Sequence, residues 1–184
     1  MMSFPVQTPE TAPEGAKEIL TTAKKNYGFV PNLLGVMSTA PSLVEGYLTL
    51  AKIFESTSFS PTERQVVLLA TSYENECEYC MAVHSTFSEM QKVPSEIVQA
   101  IRTGSPIQDL KLEALRRFTS AVVTAQGWAS PDDVKAFFGA GYAEQQALEV
   151  VLGVGLKTIS NYTTHIAKTP LDDAFSAAAW TKEA

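Results

Sequence analysis

Apolar positions recur every three or four residues along most of this chain, and almost nowhere do they alternate. The stretch APEGAKEILTTAKKNYG sets Ala16, Ile19, Leu20 and Ala23 at helical spacing, and Gly28 follows as a stop. VPNLLGVMSTAP reads as a short helix after Pro31, ended before Pro41. Residues 41–58 place Leu43, Gly46, Tyr47, Leu50 and Phe54 along one side of a longer helix. SPTERQVVLLATSYEN carries a marked start: Ser60 at the N-cap, Pro61 at the first helical position and Glu63 at the third, which makes a capping box. Val66 to Ala70 is apolar nearly all round, so this helix is expected at the centre of the fold. It should stop near Asn75. The next should begin around Cys77 and reach about Gln91, before Pro94 opens another segment.

Residues 108–126 give a further helix with Leu112, Leu115, Phe118, Val122 and Ala125 on one side, ended by Gly127. SPDDVKAFFGAG repeats the Ser-Pro start with Asp133 at the third position, an echo too short to count as an internal repeat. Residues 143–167 are long and strongly apolar in their middle, and Pro170 opens a last short segment. No Asn-Gly or Asp-Gly hairpin and no sustained run of β-branched residues occurs. The pattern predicts an all-α, single domain of about eight helices.

Composition narrows the function more than the fold. A length of 184 residues suits one domain with a proper core. Net charge is −6, with no long block of one sign, so the basic footprint of a nucleic-acid binder is absent. No apolar run reaches the roughly 18 residues that a membrane span needs, and MMSFPVQTPETAPEG lacks the basic start and apolar block of a signal peptide. The expected compartment is the cytoplasm. Thiols are kept reduced there, so a lone C-x-x-C points to catalysis or metal binding before a structural staple.

That motif lies in ECEYCMAVH, from Glu76 to His84. It holds the only two cysteines of the chain and one of its two histidines. If a helix starts at Cys77, Cys80 follows one turn on, and His84 stands at i+4 from Cys80 and i+7 from Cys77, so all three share a face. The positive end of a helix favours thiolate over thiol, and an imidazole can take the proton directly or through one water. A thiolate with a second thiol in reach is what a thiol peroxidase requires: one sulfur is oxidised to a sulfenic acid and the other resolves it to a disulfide. Three other readings compete. Zinc could take Cys77, Cys80 and His84, with His165 or a carboxylate as a fourth ligand, but the spacing is not that of a finger or knuckle and no second cysteine pair exists. The thiols could be small inert core residues. A thioredoxin-like site needs the motif after a β-strand, whereas both flanks here read as helix.

SPTERQVVLLATSYENECEYCMAVHS resembles the core of the alkylhydroperoxidase D-like proteins of the carboxymuconolactone decarboxylase superfamily, specifically their peroxidase-related subgroup. Their pattern is a Glu, eleven residues, then C-x-[His/Tyr]-C-x-x-x-H. YGFVPNLLGVMSTAPSLVEGYLTL resembles the upstream helices of that family and NYTTHIAKTPLDDAF its C-terminal end, so the likeness covers roughly residues 25–176. The resemblance implies an all-helical fold that assembles into dimers, trimers or hexamers. It also implies peroxidase or disulfide-reductase chemistry without haem, metal or other cofactor. The partners would be a hydroperoxide substrate and a dithiol or protein reductant, not nucleic acid or membrane. By position, Cys80 would be the buried peroxidatic thiol, Cys77 the more exposed resolving thiol, and His84 the group that accepts or relays the Cys80 proton. Tyr79 stands where some members have histidine and could relay a proton, although an ordinary phenol is a poor base.

One position departs from the pattern. Gln65, twelve residues before Cys77, stands where the family has its glutamate. Either Gln65 orients a water by hydrogen bonds, or another acid takes over, with Glu74 the best placed; the other reading of Glu74 is an ordinary acid at a helix end. Tyr73 and Met81 read as core or pocket lining. His165, Asn161 and Tyr162 read as structural residues at a helix–helix contact. Beside the peroxidase stand two further readings, a redox sensor or disulfide-reductase module that turns over poorly, and a lactone decarboxylase-like enzyme.

Overall fold

A computed structural model describes residues 4–182. Among them lie nine α-helices and one 3-10 helix, and no strand. The helices are α1 (Glu14–Tyr27), α2 (Asn32–Met37), α3 (Pro41–Glu55), α4 (Pro61–Glu74), α5 (Glu78–Met90), α6 (Ser95–Arg102), α7 (Leu110–Thr124), α8 (Pro131–Gly139) and α9 (Glu144–Ala167), followed by the 3-10 turn Asp173–Ala178. The all-α expectation holds. The number exceeds the expected eight because the short segments after Pro94 and Pro170 also close into helix.

Local chemistry accounts for the starts. Pro41, Pro61 and Pro131 each occupy a first helical turn, where the missing N–H costs nothing. The Ser60 capping box forms as read: Glu63 N–H donates to Ser60 Oγ at 3.2 Å and Ser60 N–H donates to the Glu63 carboxylate at 2.8 Å. Ser130 caps α8 by accepting from Asp133 N–H at 3.2 Å, while its hydroxyl donates to the Asp133 carboxylate at 2.6 Å. Gly28 ends α1 with φ +81°, the left-handed cap that glycine adopts without strain.

Helix α4 is the axis of the domain. Every residue from Gln65 to Ser72 is buried, as its unbroken apolar run requires. It packs against α5, α6, α7 and α9. Gly153 lets α9 approach it: a Cβ there would lie 2.6 Å from Val67 and 2.7 Å from Phe54. A second apolar cluster, built from α1, α2 and α3 with Leu20, Leu33, Leu34, Met37 and Val44, encloses Cys77, Tyr79 and Cys80.

The α4–α5 junction aims the thiols. Cys77 N–H donates to Ser72 O at 2.9 Å and Glu76 N–H donates to Tyr73 O at 3.1 Å, the paired bonds of a Schellman stop. Glu76 takes the left-handed position of that stop, with φ +54°, where glycine would be unstrained. The chain turns sharply there, and Cys77 becomes the N-cap of α5 with Cys80 one turn inside it.

Candidate active site

Cys77 and Cys80 are reduced and enclosed, 0% and 1% exposed. The resemblance implied a more accessible Cys77. Instead α9 lies across both thiols and closes them off equally. Thr164 Oγ1 is 3.1 Å from Cys77 Sγ and Ser160 Oγ is 3.7 Å from Cys80 Sγ. The two thiols are neighbours and each shifts the other's proton affinity.

Lys157 completes the cluster. It is only 1% exposed, its charge bears electrostatically on Cys80, and it pairs with no carboxylate among the described residues. With Ser160, Asn161 and Thr164 it forms a buried polar face at i, i+3, i+4 and i+7 of α9. A lysine is almost never buried unless paired, and the groups on which this charge bears are Cys80 and His84. Burial opposes charge on Cys80, but the Cys77 donor, the Lys157 ammonium and Ser160 outweigh it and hold the Cys80 thiol well below its ordinary value. Cys77 is pushed up, first because its proton is held by Cys80 and then by burial. Both shifts favour a proton on Cys77 and negative charge on Cys80.

His84 is buried, and its pKa falls well below the ordinary value through burial and then the Lys157 charge. It is a neutral imidazole. Its Nδ1 lies 3.1 Å from Gln65 Oε1, while Gln65 Nε2 donates to Gln91 Oε1 at 3.2 Å. That network assigns the ring proton to Nδ1 and leaves the Nε2 lone pair unprotonated. Gln65 thus holds the imidazole directly rather than through a water. Glu74, the candidate substitute acid, is half-buried in the last turn of α4, makes no side-chain hydrogen bond among the described residues, and bears electrostatically on Arg116 of α7.

Tyr79 is tied elsewhere. Its hydroxyl donates to Asp172 Oδ2 at 2.6 Å and accepts from Leu33 N–H at 3.2 Å. Asp172 also accepts from Asn32 N–H at 2.9 Å. Burial, then the Asp172 carboxylate, push the phenol far up. Tyr79 therefore clamps α5 to α2 and to the C-terminal segment. Met81 is core, and Tyr73 packs against Trp180 beyond the site. Asn161 accepts from Asn75 Nδ2 at 3.0 Å. Tyr162 and His165 are exposed on α9, their rings 6.5 Å apart, so His165 does not reach the thiols of its own chain. Among the described residues no group of three or more His, Cys, Asp and Glu side chains could hold a metal ion.

A cavity of about 160 Å³ lies beside the cluster. Leu33, Leu34, Leu48, Phe54, Leu68, Val83, Phe87 and Phe175 make most of its wall apolar. Gln65, His84, Tyr79 and Lys157 are set into that wall, whereas neither sulfur reaches it. Lys157 and His84 thus stand at the boundary between cavity and thiols. Sequence reasoning missed Lys157, Ser160, Thr164 and Asp172. The signal for the first three was present: a lysine and two hydroxyl residues at helical spacing inside the apolar run of α9. Nothing local marks Asp172, 93 residues from Tyr79.

No protein-family model matches the sequence, and no curated protein matches it. Solved structures do. A peroxidase-related protein from Ralstonia eutropha JMP134, described as an alkylhydroperoxidase AhpD core, superposes with a TM-score of 0.81 at 20% identity, over 94% of this chain and 93% of that one. A peroxidase-related protein from Silicibacter sp. TM1040 gives 0.79 at 14% identity, over 95% and 92%. A Cys→Ala variant of the debrominase Bmp8, in complex with 2,3,4-tribromopyrrole, gives 0.79 at 18% identity, over 97% and 95%. The order of helices and these superpositions together identify the fold as the all-helical fold of the AhpD-core, peroxidase-related structures.

Proposed function

We propose that this chain is a thiol-dependent oxidoreductase that reduces hydroperoxides with an apolar body, by a dithiol–disulfide cycle on Cys80 and Cys77. The observation that carries the reading is the buried dithiol itself: Cys80 with Ser160 Oγ at 3.7 Å and Cys77 with Thr164 Oγ1 at 3.1 Å, in surroundings that lower the Cys80 pKa and raise that of Cys77. The thiolate is the nucleophile that peroxide cleavage needs, and the neighbouring thiol is placed to resolve the sulfenic acid. The largely apolar cavity supports a substrate with a compact hydrocarbon body, whose peroxide end must pass the Lys157–His84 boundary to meet Cys80. Neutral His84, with Nε2 free, is suited to accept a proton as substrate enters. A dithiol or protein reductant reopens the disulfide, in keeping with a cytoplasmic setting.

The test is consumption of cumene hydroperoxide with a dithiol present, by wild type, Cys80→Ser and Cys77→Ser. Wild type should turn over many equivalents. Cys80→Ser should lose nearly all activity, and Cys77→Ser should stall after one equivalent. Full activity in Cys80→Ser sinks the assignment. A single equivalent in wild type, with a change in assembly, would favour a redox sensor.

A second reading rests on the likeness to the debrominase and on the aromatic wall from Phe54, Phe87 and Phe175. The same dithiol could supply two electrons to replace bromine by hydrogen on a small ring, with bromide released. Bromide release from tribromopyrrole, run in the same assay, separates the two.

We further propose that copies of this chain associate through α9. Leu148, Val151, Tyr162 and Ile166 are exposed and share one face of that helix, with exposed Gly155 between them. Sedimentation should give more than one chain per particle, and Leu148→Glu with Ile166→Glu should return a monomer. Among the described residues no helix is long and apolar enough to cross a membrane.

A further inference from the structure

Cleavage of a hydroperoxide by a thiolate leaves an unsolved proton. When the Cys80 sulfur attacks the terminal oxygen of ROOH, an S–O bond forms, the O–O bond breaks, and RO⁻ departs. Such an alkoxide is about as basic as hydroxide and far too basic to leave unprotonated at neutral pH. Cys80 is only 1% exposed, so the alkoxide forms beside a shielded sulfur, where a protein group is placed to supply the proton as the bond breaks.

The groups around the reaction centre can be taken in turn. His84 is neutral, and its one ring proton is directed to Gln65. The Tyr79 proton is bound to Asp172. Tyr47 faces Ser160, and burial makes its phenol a weaker acid than usual. Arg64 lines the cavity, but a guanidinium does not give up its proton in a protein. The Cys77 proton is needed to release water from the sulfenic acid in the second step. Lys157 remains. Its charge bears on Cys80, it is set into the cavity wall, it is 1% exposed, and no carboxylate among the described residues pairs with it.

We propose that Lys157 is a catalytic acid of this site: its ammonium protonates the alkoxide expelled when Cys80 cleaves a hydroperoxide, which fits the site to alkyl and aralkyl hydroperoxides with basic leaving groups. This rests on the peroxidase reading above. The steps balance. Cys80–S⁻, ROOH and Lys157–NH₃⁺ give Cys80–SOH, ROH and Lys157–NH₂. Cys77–SH then attacks the sulfenic sulfur, and water leaves with the Cys77 proton as the disulfide forms. A dithiol reductant returns two electrons and two protons, one to Cys77 and one to Lys157, while Cys80 is restored as thiolate. Before attack the same ammonium holds the Cys80 charge, so one residue serves nucleophile and leaving group in succession. It can do both because the negative charge passes from sulfur to oxygen beside it. The family glutamate, absent at Gln65, has no part in this scheme.

The experiment compares the first oxidation step of Cys80 in wild type, Lys157→Met and Lys157→Arg, using cumene hydroperoxide and peroxybenzoic acid. The two oxidants share an aryl body, but the second expels a carboxylate that needs no proton at neutral pH. Iodoacetamide alkylation of Cys80 across pH, in the absence of peroxide, reads the thiolate alone. Lys157→Met should slow alkylation at neutral pH and both oxidants. It should slow cumene hydroperoxide by a further factor of about 10²–10⁴, the usual contribution of a general acid. Lys157→Arg should restore alkylation and the reaction with peroxybenzoic acid but not that with cumene hydroperoxide. If both oxidants slow by the same factor in Lys157→Met, or if arginine rescues both, Lys157 serves the thiolate only and the acid role is overturned. If wild type reacts with peroxybenzoic acid and not with cumene hydroperoxide, the acid role also fails. If it reacts with neither while Cys80 alkylates as a thiolate, the peroxidase reading itself has failed and the acid role falls with it.

Discussion

Tyr79→Phe separates a clamp from a proton relay. The substitution keeps the ring in the cavity wall and removes one oxygen. That oxygen makes two buried contacts: it donates to the Asp172 carboxylate at 2.6 Å and accepts from Leu33 N–H at 3.2 Å. A hydrogen bond to a charged acceptor contributes about 1.5–3 kcal/mol. An unpaired buried N–H costs about 1–3 kcal/mol. Asp172 keeps Asn32 N–H as a donor, which holds the total near the lower part of the combined range, about 3 kcal/mol. For a domain of this length each kcal/mol moves Tm by about 2–4 °C, so the variant should melt about 6–12 °C below wild type. Calorimetry or circular dichroism measures this directly. A double-mutant cycle with Asp172→Asn should return a coupling of about 1.5–3 kcal/mol. The alkylation rate of Cys80 should change by less than about threefold, since the lowered Cys80 pKa comes from Cys77, Lys157 and Ser160 rather than from the phenol. A variant that melts with wild type yet loses hydroperoxide consumption would refute the clamp and assign the phenol to proton transfer.

Three further outcomes follow from the same geometry. Gly153→Ala should lose about 1–2 kcal/mol, because the helix-propensity gain of about 1 kcal/mol is outweighed by overpacking against Val67 and Phe54; Gly155→Ala, with nothing within 4 Å of its added methyl, should gain about 1 kcal/mol, and equal melting of the two would contradict the close α9–α4 approach. Glu76→Gly should stabilise by about 0.5–1 kcal/mol in urea unfolding, since it relieves the left-handed φ at the α4–α5 stop and gives up only an exposed pairing with Lys182. The thiol pair should impose a pH signature on stability. Lowered Cys80 adds stability that is lost as pH falls through its native value; raised Cys77 adds stability that is lost as pH rises through its own. Between the two values the native pair holds one proton, while the unfolded pair goes from two to none around pH ~8.5. Stability of wild type relative to Cys77→Ser/Cys80→Ser should therefore rise towards a maximum near pH ~8.5 and fall beyond it, and a flat difference would disprove the single-proton pair.

The sequence by itself determined the helices and the thiol face. Proline at a first turn, a Ser–Glu capping box, a glycine stop and apolar spacing act within four residues, so they are legible without a fold. The C-x-x-C-x-x-x-H spacing placed two sulfurs and an imidazole on one side of α5 for the same reason. Gln65 was legible as a missing acid, though its contact with His84 was not. Only the tertiary structure decided which group carries which proton. Ser160, 80 residues along the chain, lies beside Cys80, with Lys157 one turn before it, because Gly153 lets α9 pack close to α4. Tyr79 became a clamp because Asp172 returns to it from the C-terminal segment. Such partners are far apart in sequence, and charge on a thiol depends on burial and on the nearest cation, quantities that exist only once the helices have packed.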